Sequence, residues 1–208
     1  MLVDGSGEGF ETCVRRCKEC EDKGVRYLTL CVLGTDKEVL KGCGFLLSGD
    51  RSAYDELEVI LKKGSREVDY ECCLCYVGSS VSASYVEMIL NGMLTSEEES
   101  LSESYGMLLA AGFTNEEVSK SVSGWNKDEL EGPMVEEMAI VLRKKEDDED
   151  GFVIDKVCDN ERVLEDANPF LREANDRRMN VSTLSSGVSE AYVGGCIDER
   201  RKCMNDDE

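Results

Sequence analysis

The sequence predicts an α+β protein in which a small α/β segment precedes a mainly helical one. Two apolar runs, at 25–33 and 43–48, have the length and composition of buried strands. After Gly78 the apolar residues recur at helical spacing instead. We therefore expect an α/β domain at 1–78 and a helical domain at 79–208, with a frayed tail from about residue 203.

The first segment is predicted to alternate strands and helices. Residues 2–5 read as a short strand, and 8–23 as a helix because its apolar residues fall at positions i, i+3, i+4 and i+7. Gly24 is well placed to end that helix. Ser52 is expected to cap a second helix, and 68–77 to form the last strand of this segment.

The second segment is predicted to contain helices only. One long helix is expected at 81–110, and a capping box at 114–117 opens the next. A further helix is predicted at 127–143, with its apolar residues on one face. The acidic run 146–150 is expected to be a solvated linker, after which a weaker helical pattern returns to about residue 200.

Composition excludes several classes of function. The formal net charge of −21 is spread along the chain, which argues against nucleic acid and anionic membrane surfaces as partners. No apolar run reaches the length of about 18 residues that a membrane-spanning helix needs. The first residues lack a basic start followed by an apolar stretch, so no signal peptide is expected. These features predict a cytoplasmic protein.

Cysteine is abundant and histidine is absent. The chain has 11 cysteines, an odd number that favours reduced thiols over a disulfide framework. Two C-x-x-C spacings offer thiolates for zinc, namely Cys17 with Cys20 and Cys72 with Cys75. The first pair falls within a predicted helix and the second within a predicted strand, so burial of the thiols is the competing interpretation. We therefore predict no metal site, and keep zinc as an alternative.

A set of short strings runs through the chain in a recognisable order. They are Asp4-Gly5 with Arg15-Arg16-Cys17, Tyr85-Val86 through Asn91-Gly92, Trp125-Asn126-Lys127 with Glu129-Leu130, and Asp198-Glu199-Arg200. Together they resemble the 6-phosphogluconate dehydrogenase family, from about Leu2 to Arg200. The resemblance identifies the chain as a truncated, divergent member that begins near the end of the family's coenzyme domain.

The resemblance implies a fold and a reaction. The family combines a dinucleotide-binding α/β domain with a large helical domain and works as a dimer. It performs the NADP-dependent oxidative decarboxylation of 6-phosphogluconate in the pentose phosphate pathway. A lysine accepts the hydroxyl proton, and a glutamate later protonates the enol carbon. Such chemistry needs a cation beside the developing oxyanion and a positioned acid.

The family's catalytic positions are changed in this sequence. By the resemblance, the lysine position is occupied by Glu87 and the glutamate position by Leu94. The family's histidine falls at Leu90, whereas its asparagine is kept as Asn91. Of the Ser-Gly-Gly turn only Gly34 survives. No intact catalytic set is therefore expected, and Asn91 and Gly34 are the retained substrate-binding candidates.

Other substrate positions implied by the resemblance are also altered. The substrate tyrosine falls at Thr95, the third residue of the Ser-Gly-Gly turn at Thr35, and an asparagine at Gly7. A substrate-binding lysine falls at Leu164 and a phosphate-binding arginine at Ala191. Because a phosphate dianion needs charge-assisted partners, these changes predict weak binding of a sugar phosphate.

No cofactor is expected from the residues themselves. The glycines at positions 5, 7 and 9 lack the second strand and the acidic residue of a dinucleotide site, so NADP is implied by the resemblance alone. The retained residues of the helical segment are better explained by packing and capping than by binding. They are Tyr105, Trp125, Asn126 and Lys127.

Three functions follow from these observations. The first is a catalytically inactive relative that acts as a scaffold or interaction protein, pairing with itself or another protein through helical surfaces. The second is residual phosphogluconate dehydrogenase activity or ligand sensing. The third is a zinc-binding module built on cysteine thiolates.

Overall fold

Four strands form a mixed sheet in the first part of the chain. In spatial order they are β1 (Leu2–Asp4), β2 (Tyr27–Leu33), β3 (Gly44–Gly49) and β6 (Leu74–Tyr76). β1 is parallel to β2, β2 antiparallel to β3, and β3 parallel to β6. This computed structural model describes residues 1–34, 39–146, 151–157 and 167–206.

Helices α1 (Phe10–Asp22) and α2 (Arg51–Gly64) cover opposite faces of the sheet. Successive strand residues point to opposite faces, so Tyr27 packs with the cysteines of α1 and Leu28 packs with α2. Helix α1 ends as predicted, because Gly24 follows it with a φ of 65°. Strand β2 thus lies in a buried layer between the two helices.

The prediction of one strand over 68–77 is wrong. The segment contains a hairpin of β4 (Glu67–Val68) and β5 (Glu71–Cys72), and only then β6. Asp69 and Tyr70 form its turn with φ values of 51° and 68°, so the chain reverses where the apolar pattern suggested continuity. Neither is a glycine, and the usual sequence signal for this turn is therefore missing.

The predicted cap of α2 is also wrong by two residues. Asp50, not Ser52, is the N-cap, and its Oδ1 accepts the Ala53 N–H at 2.8 Å. The Ser52 hydroxyl instead donates to the same carboxylate. Both residues are good cap formers, and the ionised carboxylate is the stronger acceptor.

Helices make up the rest of the described chain. They are α3 (Ser82–Ala110), α4 (Asn115–Trp125), α5 (Pro133–Arg143), a 3-10 helix (Val153–Lys156), α6 (Ala167–Asp176), α7 (Ser182–Gly195) and α8 (Ile197–Asp206). The long helix and the capping box between Thr114 and Glu117 are confirmed. The last helix extends beyond residue 200, where the sequence pattern weakened.

Helix α5 begins six residues later than predicted, at Pro133 rather than residue 127. The intervening chain forms turns, and the Asn126 side-chain oxygen accepts the Gly132 N–H at 2.9 Å. Proline at the first helical position has no N–H to leave unsatisfied and a φ already suited to a helix. The sequence therefore contained the start signal that the apolar pattern obscured.

The chain divides into two compact units. One comprises Met1–Gly92 with Glu165–Arg178, and the other Met93–Leu164 with Met179–Glu208. In the first, α6 is held by a hydrogen bond from Tyr85 to Glu173 (3.0 Å). In the second, α4 and α5 enclose an aliphatic core of Val118, Val122, Val135, Ala139 and Leu142.

No helix in the described ranges has both the length and the apolar character needed to cross a bilayer. Of the predicted acidic linker only Glu146 lies within the described residues. Residues 147–150 lie outside them. Thr35 and Leu164, two of the positions at which the resemblance placed parts of the substrate site, also lie outside the described residues.

Candidate functional site

The catalytic positions implied by the sequence lie on one helix. Glu87, Leu90, Asn91 and Leu94 follow the i, i+3, i+4, i+7 spacing of α3 and so share one of its faces. The first three belong to the first compact unit and Leu94 to the second. Each is described below within its own unit.

Glu87 lies beside two buried thiols. Burial raises the pKa of the Cys31 thiol on β2, and a hydrogen bond to the Glu87 carboxylate raises it further. Burial likewise raises the pKa of Cys13 on α1, and the negative charges of Asp4 and Glu87 add to this effect. Both thiols are therefore held protonated, which makes them poor nucleophiles.

The remaining positions on this face offer little proton chemistry. Leu94 is 44% exposed and has no proton to donate. Leu90 is half-buried, and Thr95 is buried in the second unit. Asn91 is half-buried and is the amide retained on this face of α3. This face of α3 can hold a polar group at Asn91, but it has a carboxylate, Glu87, where the resemblance places a lysine, and an apolar side chain, Leu94, where it places a glutamate.

A second polar cluster lies at the end of β1. The Asp4 carboxylate accepts hydrogen bonds from Tyr27 Oη (2.8 Å), Ser6 Oγ (2.6 Å) and Arg16 Nη1 (3.0 Å). Burial alone would raise the pKa of Asp4, but these hydrogen bonds outweigh it and hold the pKa at about 2. Asp4 is thus a firmly ionised group that ties β1, β2 and α1 together.

The residues after β1 do not fit the pyrophosphate of a dinucleotide. Such a site presents glycines and free backbone N–H groups at the start of a helix. Here the ionised Asp4 and the carboxylates of Glu8 and Glu11 surround the start of α1. The nearby guanidinium of Arg16 is already paired with Asp4 and Glu8, at 3.0 and 3.5 Å.

The phosphate positions implied by the resemblance give little support for an anion. Gly34, at the end of β2, has a φ of 133°, a conformation that favours glycine, so its retention has a backbone explanation. Ala191 on α7 is 2% exposed and packs as a small core residue. Neither position supplies a charge to a bound phosphate.

Residues retained in the helical segment have structural roles, as expected. Trp125 packs against the core between α4 and α5. Tyr105 donates to the Asn115 side-chain oxygen at 2.9 Å, and the Asn115 amide donates to Asp155 at 3.1 Å. Asn126 closes the turn before α5, whereas Lys127 is exposed. Packing and turn formation account for three of these four residues.

The four candidate zinc ligands lie on three elements, α1, β5 and β6. Cys17 is buried on α1 beside Cys20, Cys72 lies on β5 with its thiol 3.8 Å from the Lys62 carbonyl, and Cys75 is exposed on β6. Within the ranges that the structure describes, no three cysteine, aspartate or glutamate side chains are arranged to hold a metal ion. The two C-x-x-C pairs are thus not brought together there.

The neighbours of Glu87 were not identified from sequence. Ser84 and Glu87 both lie near the Cys31 and Cys13 thiols, since both residues shift the pKa values of these two thiols. Ser84 precedes Glu87 by three residues on α3, a spacing that places them on one face. The contact with Cys31 is a strand-to-helix contact for which the sequence has no local signal.

Comparisons with known proteins cover nearly the whole chain. Residues 1–78 match the NAD binding domain of 6-phosphogluconate dehydrogenase, and 83–206 match the C-terminal domain of 6-phosphogluconate dehydrogenase. The chloroplastic decarboxylating 6-phosphogluconate dehydrogenase 2 of Spinacia oleracea is 30% identical over 200 residues, or 96% of this chain. The decarboxylating enzyme of Lactococcus lactis is 27% identical over 97% of this chain.

Solved structures agree with these matches. Plasmodium falciparum 6-phosphogluconate dehydrogenase superposes with a TM-score of 0.88 and 28% identity, covering 98% of this chain and 44% of that one. A 3-hydroxyisobutyrate dehydrogenase from Salmonella typhimurium shares the fold at a TM-score of 0.65 and 12% identity.

The chain spans less than half the length of the 6-phosphogluconate dehydrogenases it matches: 37% of the spinach enzyme and 43% of the Lactococcus enzyme. The matches nevertheless extend through both segments of the chain, in the order that the sequence strings indicated. On this evidence the chain belongs to the 6-phosphogluconate dehydrogenase family.

Proposed function

We propose that this chain is a non-catalytic member of the family that acts as a scaffold or interaction protein. The observation that carries the proposal is Glu87. The resemblance places a catalytic lysine there, and in this chain a carboxylate lies against the protonated Cys31 thiol. A carboxylate repels a developing oxyanion instead of stabilising it. Loss of one such stabilising group typically costs about 10²–10³-fold in turnover.

The absence of an acid at Leu94 supports the same proposal. In the family reaction a glutamate at this position protonates the enol carbon after decarboxylation. A leucine side chain has no proton to transfer, and Leu94 is 44% exposed. General acid catalysis typically contributes about 10²–10⁴-fold, so the two changes together remove most of the catalytic advantage.

Residual activity or ligand sensing is the alternative. Asn91 and Gly34 are retained at family positions, and they are the observation that favours it. A zinc-binding module is a further alternative that rests on the C-x-x-C spacings. A cytoplasmic location, which the composition predicts, forms part of the main proposal.

The direct test is an assay of NADPH formation from 6-phosphogluconate, with a full-length relative as positive control. We expect no turnover by the wild-type chain at enzyme concentrations a thousand times those used for the relative. Turnover within about 100-fold of the relative would contradict the proposal, because the missing groups should cost more than that.

A thermal-shift titration separates the alternatives. Ligand present at 100 times its dissociation constant adds about 2.7 kcal/mol to the free energy of unfolding. Saturable stabilisation by 6-phosphogluconate without turnover would favour sensing, and stabilisation by zinc that EDTA reverses would favour the thiolate module. The absence of both shifts is the result that the main proposal predicts.

A further inference from the structure

An apolar groove runs between α3 and α5 in the second compact unit. Its walls are formed by apolar and aromatic side chains, and its volume is about 300 Å³. The principal residues are Leu101, Tyr105, Met134, Met138, Val141 and Ile154. The floor is continuous with the core between α4 and α5, since Leu101, Tyr105, Met138 and Ile154 pack directly against that core.

The rim of this groove is acidic. Glu98 and Glu137 line it, and none of the lysines and arginines in the described ranges does. The cation next to Ile154 in the chain, Lys156, is already paired with Glu146 at 2.6 Å. The whole molecule carries a net charge of −21, which adds an attractive field for a cationic partner and a repulsive one for an anionic partner. The charge of the groove therefore favours a basic binding partner.

The shape of the groove selects a helix. The groove residues span 98–105 on α3 and 134–142 on α5, that is eight and nine positions, or about 10–12 Å of helix. This length matches two turns of a partner helix with apolar anchors at i, i+3 or i+4, and i+7.

The methionines suit such an occupant. Met134 and Met138 are one turn apart on α5 and half-buried, so their flexible thioethers can adjust to the side chains they meet. A volume of about 300 Å³ lies at the lower end of small-molecule pockets and accommodates a few anchoring side chains.

We propose that this groove binds a basic amphipathic helix of a protein partner. The proposal deepens the proposed function, on which it rests, by naming the kind of partner that an interaction protein of this family would take. The partner helix inserts two or three apolar side chains between α3 and α5. Its lysine or arginine side chains, flanking the apolar stripe, lie beside Glu137.

The test uses synthetic helical peptides and the whole chain. One peptide carries leucine at i, i+4 and i+7 with lysine on the flanks, and a second replaces each lysine by glutamate. A third has the composition of the first in an order with no apolar face. We expect saturable binding of the first peptide by fluorescence anisotropy, and at least tenfold weaker binding of the other two, since both charge and apolar anchors contribute.

Matched variants locate the binding. Glu137→Lys reverses a charge on the rim, and Glu136→Lys makes the same change at the adjacent exposed residue, which does not line the groove. Both raise the net charge equally, so bulk electrostatics cancels in the comparison. We expect Glu137→Lys to weaken binding of the basic peptide about fivefold more than Glu136→Lys does.

The NMR chemical shifts of the methionine methyl groups provide a second readout, which a change in the net charge of the protein does not by itself alter. The Met134 and Met138 methyl signals should shift on titration with the basic peptide, whereas that of Met179, exposed elsewhere in the unit, should not. Equal binding of all three peptides, equal effects of the two variants, or unshifted Met134 and Met138 signals would overturn the proposal. Dehydrogenase activity would overturn the proposed function alone and leave this result standing.

Discussion

Ser48 on β3 caps helix α3 from across the fold. Its fully buried Oγ accepts the Ala83 N–H at 2.9 Å and donates to the Ser80 carbonyl at 3.0 Å. The first N–H groups of a helix have no partner within it, and although Ser79 and Ser80 precede α3, the Ala83 N–H bonds to the hydroxyl of the strand residue Ser48. A strand residue therefore fixes where the helix that carries Glu87 begins.

Replacing Ser48 by alanine should destabilise the first unit by about 1–3 kcal/mol, because it leaves the Ala83 N–H and the Ser80 carbonyl unsatisfied where water is excluded. Urea denaturation measures the loss, and amide exchange at Ala83 should accelerate. Ser104→Ala on the exposed part of α3 removes a hydroxyl that donates only to the Ser100 carbonyl at 2.7 Å, and should change stability by less than about 0.5 kcal/mol. Equal losses in the two variants would contradict the capping role.

The pKa of Asp4 predicts an acid-dependent contribution to stability. The carboxyl has its ordinary pKa of about 3.8 in the unfolded chain and a pKa of about 2 in the folded one. Because the folded pKa is the lower, the contribution is complete above pH 3.8 and disappears as the pH falls towards 2. The shift corresponds to about 2 kcal/mol.

Asp4→Asn should therefore be less stable than wild type by about 2 kcal/mol at neutral pH, with a difference that shrinks below pH 3.8. Urea midpoints at several pH values measure it. Asp55→Asn is the control, since its exposed ion pair with Arg51 should contribute less than about 1 kcal/mol. A difference that stays constant from neutral pH down to pH 3 would mean that packing, and not ionisation, explains the effect.

Local signals account for what the sequence predicted correctly. Gly24, the Thr114–Glu117 capping box and the long apolar pattern of α3 each act within a few residues, and each is found where expected. The errors have three causes. A turn made by Asp69 and Tyr70 uses left-handed residues that are not glycines, and a stronger cap at Asp50 lies two residues before the one predicted. The apolar pattern before Pro133 hid the true start of α5.

The candidate site was predictable only in part. The resemblance located Glu87 and Leu94 on one helix face, because that relation depends on spacing within a single element. It did not predict that Glu87 would meet Cys31, or that Ser48 would cap α3. Those contacts join elements far apart in the chain, and no periodicity within either element encodes them.

Helices α3 and α7 approach closely at Gly187 in the second unit. A Cβ built on Gly187 would lie 2.7 Å from the Ser96 Cα and 2.8 Å from its Cβ, and Ser96 Oγ donates to the Leu184 carbonyl at 2.8 Å. Gly187→Ala should therefore cost about 1–3 kcal/mol through overpacking.

Gly194→Ala is the matched control on the same helix, because nothing lies within 4 Å of its added Cβ. Alanine is the better helix former, so this change should be neutral or stabilising by up to about 1 kcal/mol. Thermal unfolding of both variants measures the contrast. If the two alanines shift the midpoint in the same direction, close packing at Gly187 does not limit the stability of the unit.

The thiols beside Glu87 should be protected from alkylation in the folded protein. Burial first, and then the hydrogen bond to Glu87, raises the pKa of Cys31, so little thiolate is present at neutral pH. Cys75, Cys196 and Cys203 are exposed and should react first with iodoacetamide. Peptide mapping by mass spectrometry follows each site separately.

Glu87→Gln provides the decisive variant for this contact. It removes the charge that disfavours the Cys31 thiolate but leaves the burial, so the pKa of Cys31 should fall while staying above its ordinary value. Labelling of Cys31 at mildly alkaline pH should accelerate, whereas Glu19→Gln, which removes an exposed carboxylate from α1, should leave it unchanged. Unchanged labelling in Glu87→Gln would show that burial alone protects Cys31, and would remove the electrostatic argument that ties Glu87 to the thiols.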